Sequence, residues 1–443
     1  MTNSAEDTRT TGWRGLLARF PMIGHAGWSL GGAASGRLLD FCAAVLVAQN
    51  LGKEGLGAYG LIQTFALMVQ SLAALGLNHA VLRFVARWKD RDTERTGRLL
   101  GGGLLLAGTI GLVLGSVLAA VGGPMAHALG VPQLDGAVRV SGLLLLMAGL
   151  KEAALSAVTA FQGFRAITVT NVVSSAIGLA ATAALAPLFG VAGAIAGLAA
   201  QFGAQLVMRA AVLLRLCRAR GIKLRLQGSA VLLREVFRFA ALTHAATIVM
   251  QSSQWGCRRV VAATPVGLAE LGLFGAAFRW FAVLVEFPMQ VGRVLLPWMS
   301  QEGLDRAAVA RTVAAGVAVN LAVVGAAGGL LLCFPDLVLG LFGDAFAGDA
   351  SALRWCVVAA LFVSVYSPLA QFLLSVAWVG WLFWAHVAFA VAALGVTSWA
   401  VSDGAAGIAS GVAAGYGSML LVTTAAVAVR RIRAVSGSAS PRE

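Results

Sequence analysis

The sequence predicts an all-α polytopic membrane protein, with about twelve transmembrane helices in two pseudo-symmetric six-helix bundles. Three observations support this fold class. Charged residues make up 12% and hydrophobic residues 59% of the 443-residue chain, whereas soluble domains carry about 25% charged residues. The apolar residues fall in runs that repeatedly reach the roughly 20 residues needed to cross the hydrocarbon of a bilayer. Landmarks in the first half of the chain also recur in the second half at a nearly constant offset.

The apolar runs predict spanning helices in succession, joined by short loops. The first follows a polar segment that lacks the apolar core and cleavage site of a signal peptide, so we expect it to remain in the protein. The predicted spans are residues 24–49, 57–84, 98–122, 139–161, 168–188, 190–214, 236–263, 268–297, 312–334, 352–376, 379–400 and 404–429. The predicted domains are a cytoplasmic segment at 1–23, a first bundle at 24–214, a cytoplasmic linker at 215–235, a second bundle at 236–429 and a cytoplasmic tail at 430–443.

Basic residues are concentrated in alternate loops, and this sets the predicted orientation. The connections after the second and sixth spans carry clusters of Lys and Arg, whereas residues 122–136 and 334–350 carry none. By the positive-inside rule, both termini are predicted to be cytoplasmic, in a bacterial inner membrane. The net charge of +14 does not predict a nucleic-acid partner, because the basic residues form no single patch on a soluble domain.

An internal repeat is the most informative feature of the sequence. Residues 52–60 recur at 267–275 with Gly, Gly, an aromatic residue and Gly aligned, at an offset of 215 (267 − 52). Arg139 and Arg354 share this offset, and the glycines that begin GVAG at 190 and GAAG at 404 are 214 apart (404 − 190). Because each half has six helices, both insert in the same direction. This predicts a pseudo-two-fold axis along the membrane normal, with the substrate path between the halves.

The same segments carry a family resemblance. The run LGKEGLGAYG at 51–60 resembles the first external turn of the polysaccharide flippases in the MOP (multidrug/oligosaccharidyl-lipid/polysaccharide) exporter superfamily. Residues 76–84 resemble the end of their second helix, and 267–279 with Leu-Pro at 296–297 their eighth helix. Residues 341–354 resemble their fifth external loop.

The resemblance implies a V-shaped, MATE/MOP-like exporter that works by alternating access, of the type that flips O-antigen (lipopolysaccharide) or exopolysaccharide precursors. Family members often carry Asp before the Arg near the end of the seventh helix, where this chain has Cys257 before Arg258. The resemblance therefore transfers no cation-coupling role to that position.

Charged residues inside the predicted spans are the candidate functional residues. A charge at the centre of a spanning helix costs about 2.5–3.5 kcal/mol on insertion scales, so it faces a partner, water or a path. In the first span, Arg37 and Asp40 are three residues apart and share a face. They are either a phosphate contact tuned by a carboxylate or a structural ion pair, and Asp40 is also a candidate site for a coupling ion.

Two more spans carry polar residues at a spacing of seven, which places them on one helix face. His244, Gln251 and Arg258 form a stripe that we interpret as a cavity wall, with interhelical hydrogen bonding as the alternative. Arg279 and Glu286 form a second stripe. Glu286 is either a coupling-ion site or the ion-pair partner of an arginine, and the partner interpretation is slightly favoured.

The remaining polar residues in spans have structural interpretations beside functional ones. Arg83, at the end of the second span, binds a lipid phosphate at the inner leaflet or simply anchors the helix. Lys151 and Glu152 are adjacent, so they are predicted not to share one helix face. His386 is alone in an apolar helix, which is typical of a core histidine and not of a ligand.

Together these features predict a flippase for an anionic lipid-linked saccharide of the polyprenyl phosphate or pyrophosphate type. Arg37, Arg258 and Arg279 are predicted to bind phosphate by charge-assisted hydrogen bonds, in a cavity with an excess of positive charge. Membrane lipid and, as protein partners, a polysaccharide polymerase or glycosyltransferases are expected. No Walker phosphate loop, metal cluster or catalytic triad emerges from the sequence, so we predict no enzyme activity and no cofactor.

Three alternatives remain open. A cation-coupled multidrug antiporter of the same superfamily would need a cavity dominated by carboxylates. A non-transporting scaffold in an envelope-assembly complex would not need charges at bilayer depth. An integral-membrane lipid glycosyltransferase would need a carboxylate-bearing loop, and the longest external connection here is short.

Overall fold

The fold is helical throughout the part of the chain that the structure describes. The computed structural model describes residues 21–73, 77–128, 132–299, 306–376 and 378–436. Thirteen α-helices and three short 3-10 turns occur in these residues, and no β-strand. The helices are α1 (Pro21–Ala73), α2 (Leu77–Trp88), α3 (Thr93–Ala120), α4 (Gly122–Ala128), α5 (Asp135–Ala160), α6 (Phe164–Ala219), α7 (Ser229–Ala262), α8 (Gly267–Met299), α9 (Arg306–Cys333), α10 (Pro335–Gly340), α11 (Ser351–Ser375), α12 (Val379–Trp399) and α13 (Gly404–Ser436).

Left-handed glycines break or begin the longest helices. Gly52 (φ 65°) interrupts α1, and Gly190 (φ 59°) interrupts α6, so each of these helices consists of two arms. Gly404 (φ 53°) is the first residue of α13. An L side chain is strained at such φ values, which is why glycine stands at these positions. Gly190 and Gly404 were matched in the sequence repeat, and they share this backbone conformation.

Eight helical stretches of the described residues are long and apolar enough to cross a membrane, by length and composition. They include α3, α5, all of α6, and α13 as far as Val429. The prediction of an all-α polytopic protein is therefore confirmed, while the number of twelve spans stays a prediction.

The helices pack as two groups that follow the order of the chain. In the first half, α1 packs along α6, and α5 packs against both α3 and α6. In the second half, α11 contacts α8, α9 and α13, and α12 packs between α7 and α13. The two halves meet chiefly where α1 contacts α8 and α7.

The two halves approach each other closely at Gly57 in the second arm of α1 and Gly272 in α8, a contact that we call the glycine crossing. A Cβ atom at Gly57 would overlap the backbone oxygen of Leu268, and one at Gly272 would overlap the backbone oxygen of Lys53. The two glycines are 215 residues apart (272 − 57), the offset of the sequence repeat. Backbone therefore packs on backbone at a point related by the repeat, near the start of the second arm of α1 and the start of α8.

Candidate functional site

A cavity of about 510 Å³ lies in the second half of the protein and reaches the first half at one residue. Its walls come from α7, α8, α11, α12 and α13, with Arg37 of α1. Glu286 lies 19 residues into α8 (286 − 267), or roughly 28 Å from the start of that helix at 1.5 Å per residue. Along α8 the cavity wall begins at Phe278, six residues beyond Gly272 (278 − 272), and extends to Met289, toward the opposite end of the helix. Pockets for small ligands commonly enclose about 300–1,000 Å³.

An ion pair joins the two halves at the cavity. The Arg37 Nε atom lies 3.4 Å from the Glu286 Oε2 atom, and the Arg37 side chain is 59% exposed. The Gln290 side-chain amide donates a hydrogen bond to the other Glu286 oxygen at 2.6 Å. The carboxylate therefore contacts the Nε edge of the guanidinium, and the rest of the side chain remains accessible to a ligand.

Alanine, valine, leucine and methionine side chains form about half of the wall, and aromatic and hydroxyl-bearing side chains form most of the rest. Phe278 and Phe281 of α8 stack with ring centroids 5.0 Å apart, and both line the cavity. Tyr366 of α11, His386 of α12 and Tyr416 of α13 line it as well. His386 was predicted to be a core histidine, whereas the packing of α12 places it in the cavity wall.

Arg258 lies apart from this cavity, four residues before the end of α7. Its guanidinium sits over the rings of Phe274 and Phe278, at 5.2 and 5.3 Å from their centroids. One of its terminal nitrogens donates to the backbone oxygen of Gln254 at 3.1 Å. The void beside it measures about 10 Å³, close to the space of a single water probe. Arg258 is therefore held by aromatic faces in the second half.

Arg279 bridges the halves nearer the glycine crossing. One of its terminal nitrogens lies 3.4 Å from the side-chain oxygen of Gln63, which stands in the second arm of α1. Tyr59 of the same arm is buried and lies beside Arg279. Arg279 is not among the residues that line the cavity.

Asp40 is bound within the first half and not to Arg37. Its carboxylate accepts a hydrogen bond at 2.8 Å from the side-chain amide of Gln201, which also donates to Ser175. The three-residue spacing placed Arg37 and Asp40 on one face, but α6 supplies the partner of Asp40 and α8 supplies the partner of Arg37. The carboxylate beside Arg37 is therefore that of Glu286 and not that of Asp40.

The first half also contains a buried charged cluster that the sequence analysis did not assemble. The Lys151 ammonium and the Glu152 carboxylate form an ion pair at 2.5 Å, although adjacent residues were not expected to face each other. The Lys151 ammonium also lies 4.1 Å from the ring centroid of Phe202. Buried Arg209 donates to the Lys151 backbone oxygen and to Asn171. Arg209 was missed, although a single arginine inside an apolar helix was the signal that could have found it.

The predicted stripe on α7 does not line the cavity. Ala246, Thr247 and Met250 form the α7 part of the wall, whereas His244 is buried and Gln251 is partly buried outside it. The heptad spacing identified a common face but not the direction in which that face points. The side chain of Arg83 lies outside the described residues.

The sequence matches the model of a known family, described as polysaccharide biosynthesis protein, over residues 25–302. The chain belongs to this family. EPS I polysaccharide export inner membrane protein EpsE of Ralstonia solanacearum is 24% identical over 293 residues. This match covers 65% of the chain and spans about 65% of the length of that curated relative.

Solved structures share the fold of this chain. An inward-facing multidrug resistance MATE transporter of the MOP superfamily has a TM-score of 0.72 at 13% identity, covering 91% of this chain and 96% of that one. Lipid II flippase MurJ, in an inward closed conformation, has a TM-score of 0.73 at 14% identity, covering 89% and 86%. A MOP transporter from Pyrococcus furiosus has a TM-score of 0.67 at 16% identity, covering 94% and 95%. These similarities confirm the MATE/MOP-like fold of a multi-pass membrane protein.

The charges of the cavity differ from the expected positive excess. Among the described residues that line it, Arg37 and Glu286 are the only Asp, Glu, Lys or Arg, so their formal charges cancel. The other candidate arginines stand elsewhere, over aromatic rings or at the contact between the halves. In this member of the polysaccharide biosynthesis family, the cavity arginine therefore lies beside a carboxylate of opposite charge.

Proposed function

We propose that this protein is a flippase or exporter that moves an anionic lipid-linked saccharide from the cytoplasmic to the outer leaflet by alternating access. The exposed Arg37 guanidinium, held by Glu286 where the two halves meet at the cavity, is the observation that carries this proposal. The family description concerns polysaccharide biosynthesis, and the relative EpsE is described as a polysaccharide export protein. Both descriptions support a saccharide cargo.

Phosphate is the part of the cargo that Arg37 recognises. A guanidinium offers five donors in a planar fork and binds phosphate oxygens by short, charge-assisted hydrogen bonds. In the structure, a Glu286 carboxylate oxygen lies 3.4 Å from the Nε atom of this fork. A phosphate or pyrophosphate of a polyprenyl carrier replaces that carboxylate, and Gln290 retains its hydrogen bond to Glu286. Cargo binding thus breaks an ion pair that joins the two halves.

The transition between the two states is a rocking of one half against the other. At the glycine crossing the halves are in backbone contact, which closes that end, while the cavity lies toward the other end. With both termini in the cytoplasm of a bacterial cell, as the distribution of Lys and Arg predicts, the cavity lies on the cytoplasmic side. The lipid tail stays in the bilayer while the saccharide occupies the cavity, and no step requires enzyme chemistry or a cofactor.

Translocation in proteoliposomes tests this function. The probe is a fluorescent polyprenyl pyrophosphate that carries one hexose, and its appearance in the opposite leaflet is followed by quenching. We expect the wild-type protein to move the probe, and Arg37→Ala to slow it at least about tenfold, since a hydrogen bond to a charged group contributes roughly 1.5–3 kcal/mol. Arg139, an exposed arginine paired with Asp135, is the matched control, and Arg139→Ala should retain the wild-type rate.

The same vesicles distinguish the alternatives. Wild-type rates in Arg37→Ala would contradict the assigned phosphate contact. Movement of ethidium instead of the lipid probe would indicate a multidrug antiporter. No movement of either compound by folded protein would favour the scaffold.

A further inference from the structure

We propose that Tyr366, His386 and Tyr416 form a saccharide subsite that recognises hydroxyl groups on a neutral pyranose ring of the cargo. This inference rests on the proposed function and names the part of the cargo that the second half contacts. The three side chains come from three different helices, α11, α12 and α13, and all line the cavity that Arg37 reaches from the first half. The halves thus divide the recognition: the first supplies a cation for phosphate, and the second supplies neutral hydrogen-bonding groups.

His386 presents one ring nitrogen for a ligand. Its Nδ1 atom lies 2.7 Å from the backbone oxygen of Leu382, and because a carbonyl oxygen only accepts, Nδ1 must carry the proton. In the neutral ring the Nε2 atom is then an acceptor, and it has no hydrogen-bond partner among the described residues. The helix therefore fixes the tautomer and leaves a single acceptor at the cavity wall.

Tyr366 and Tyr416 present hydroxyl groups of the same kind. The Tyr416 ring is held in place by Phe389, with centroids 5.0 Å apart, and by Phe281, with centroids 5.5 Å apart. Neither hydroxyl has a hydrogen-bond partner in the described part of the chain. Neither belongs to the fully buried polar atoms there that lack a partner. Both side chains line the cavity, so their hydroxyl groups are available to a ligand there.

Such groups favour a sugar over an apolar or a charged ligand. A polar atom taken from water without a new partner costs free energy, so an apolar ligand that covered these three groups would bind poorly. A site built to hydrogen-bond hydroxyl groups discriminates strongly against analogues that lack them. A pyranose ring offers donors and acceptors at its rim, and its C–H face packs on aromatic surfaces such as Phe278 and Phe281. The subsite contains no formal charge of its own, which indicates a neutral sugar.

Binding to purified protein in detergent tests the subsite. The probes are a short-chain polyprenyl pyrophosphate without sugar and the same carrier with glucose, galactose, N-acetylglucosamine or N-acetylgalactosamine. We expect at least one sugar-bearing probe to bind the wild type more tightly than the sugarless carrier. His386→Leu, and the pair Tyr366→Phe with Tyr416→Phe, should each weaken that probe about two- to tenfold per lost hydrogen bond. The sugarless carrier should change less than about twofold.

Tyr59 provides a matched control, because it is a tyrosine at the contact between the halves that does not line the cavity. Tyr59→Phe should leave the affinity for every sugar-bearing probe unchanged. The subsite is refuted if no sugar-bearing probe binds more tightly than the sugarless carrier, or if His386→Leu weakens all probes equally. Arg37→Ala separates this result from the proposed function: it should weaken the sugarless carrier too, and if it does not, the phosphate contact fails while the sugar subsite stands.

Discussion

Adding one methyl group at the glycine crossing should push the two halves apart at that end. In the Gly57→Ala variant, the new Cβ would overlap the Leu268 backbone oxygen and lie 2.9 Å from the Gly272 nitrogen. Both are backbone atoms, so no side-chain rotation relieves the overlap. Overpacking of this kind typically costs about 1–3 kcal/mol. Because only the state closed at this end contains the contact, the closed-to-open ratio should fall by about 5- to 150-fold.

Spin labels report this shift directly. Glu54 in α1 is exposed and Val266, just before α8, is 63% exposed, so a label at each position measures the distance between the halves near the crossing. Double electron–electron resonance should show one short distance in the labelled parent and a longer population in Gly57→Ala. Gly60 is the matched control, since a Cβ there meets nothing within 4 Å. A Gly57→Ala distribution identical to that of Gly60→Ala would refute the close contact.

Two further predictions concern charges outside the cavity. Glu152→Gln leaves the Lys151 ammonium buried without its carboxylate, and should lower the free energy of unfolding in detergent by about 3–5 kcal/mol. The double variant with Lys151→Met should melt at a higher temperature than Glu152→Gln alone. The reverse order of melting temperatures would contradict the pairing. Hydrogen bonding by Ser351, whose backbone N–H donates to the Asp349 carboxylate at 2.8 Å, lowers the pKa of Asp349 in the turn before α11. Asp349 therefore stabilises the turn above the ordinary aspartate pKa of about 3.9. That contribution is lost as the pH falls through the lowered value. The melting temperature of Asp349→Asn should therefore fall less on acidification than that of the wild type. Parallel plots of melting temperature against pH for the two proteins would contradict this role of Asp349.

The repeat could be predicted from the sequence because it depends on the backbone. Close helix contacts and left-handed turns require glycine, and glycine is visible in a sequence without any knowledge of partners. The offset that aligned 52–60 with 267–275 therefore identified both Gly57 and Gly272, which the structure brings together. Gly190 and Gly404, aligned in the same way, share a left-handed conformation.

The composition of the cavity could not be predicted in the same way, because it depends on how six helices face one another. Arg37 and Glu286 were each selected by the cost of a charge in a membrane. Spacing along α1 suggested Asp40 as the neighbour of Arg37, whereas the partner comes from the other half of the chain. His386 gave no periodic signal within α12, so only the packing shows that it lines the cavity.

The affinity of the Glu286→Gln variant for polyprenyl pyrophosphate tests most directly whether the cargo phosphate displaces the Glu286 carboxylate from Arg37. The substitution removes the competing charge while keeping the side-chain shape beside Gln290. Exposed ion pairs contribute roughly 0.2–1 kcal/mol, and Arg37 is 59% exposed. We therefore predict about two- to fivefold tighter binding in Glu286→Gln, and weaker binding in Arg37→Ala. Unchanged or weaker binding in Glu286→Gln would contradict the exchange of partners at Arg37.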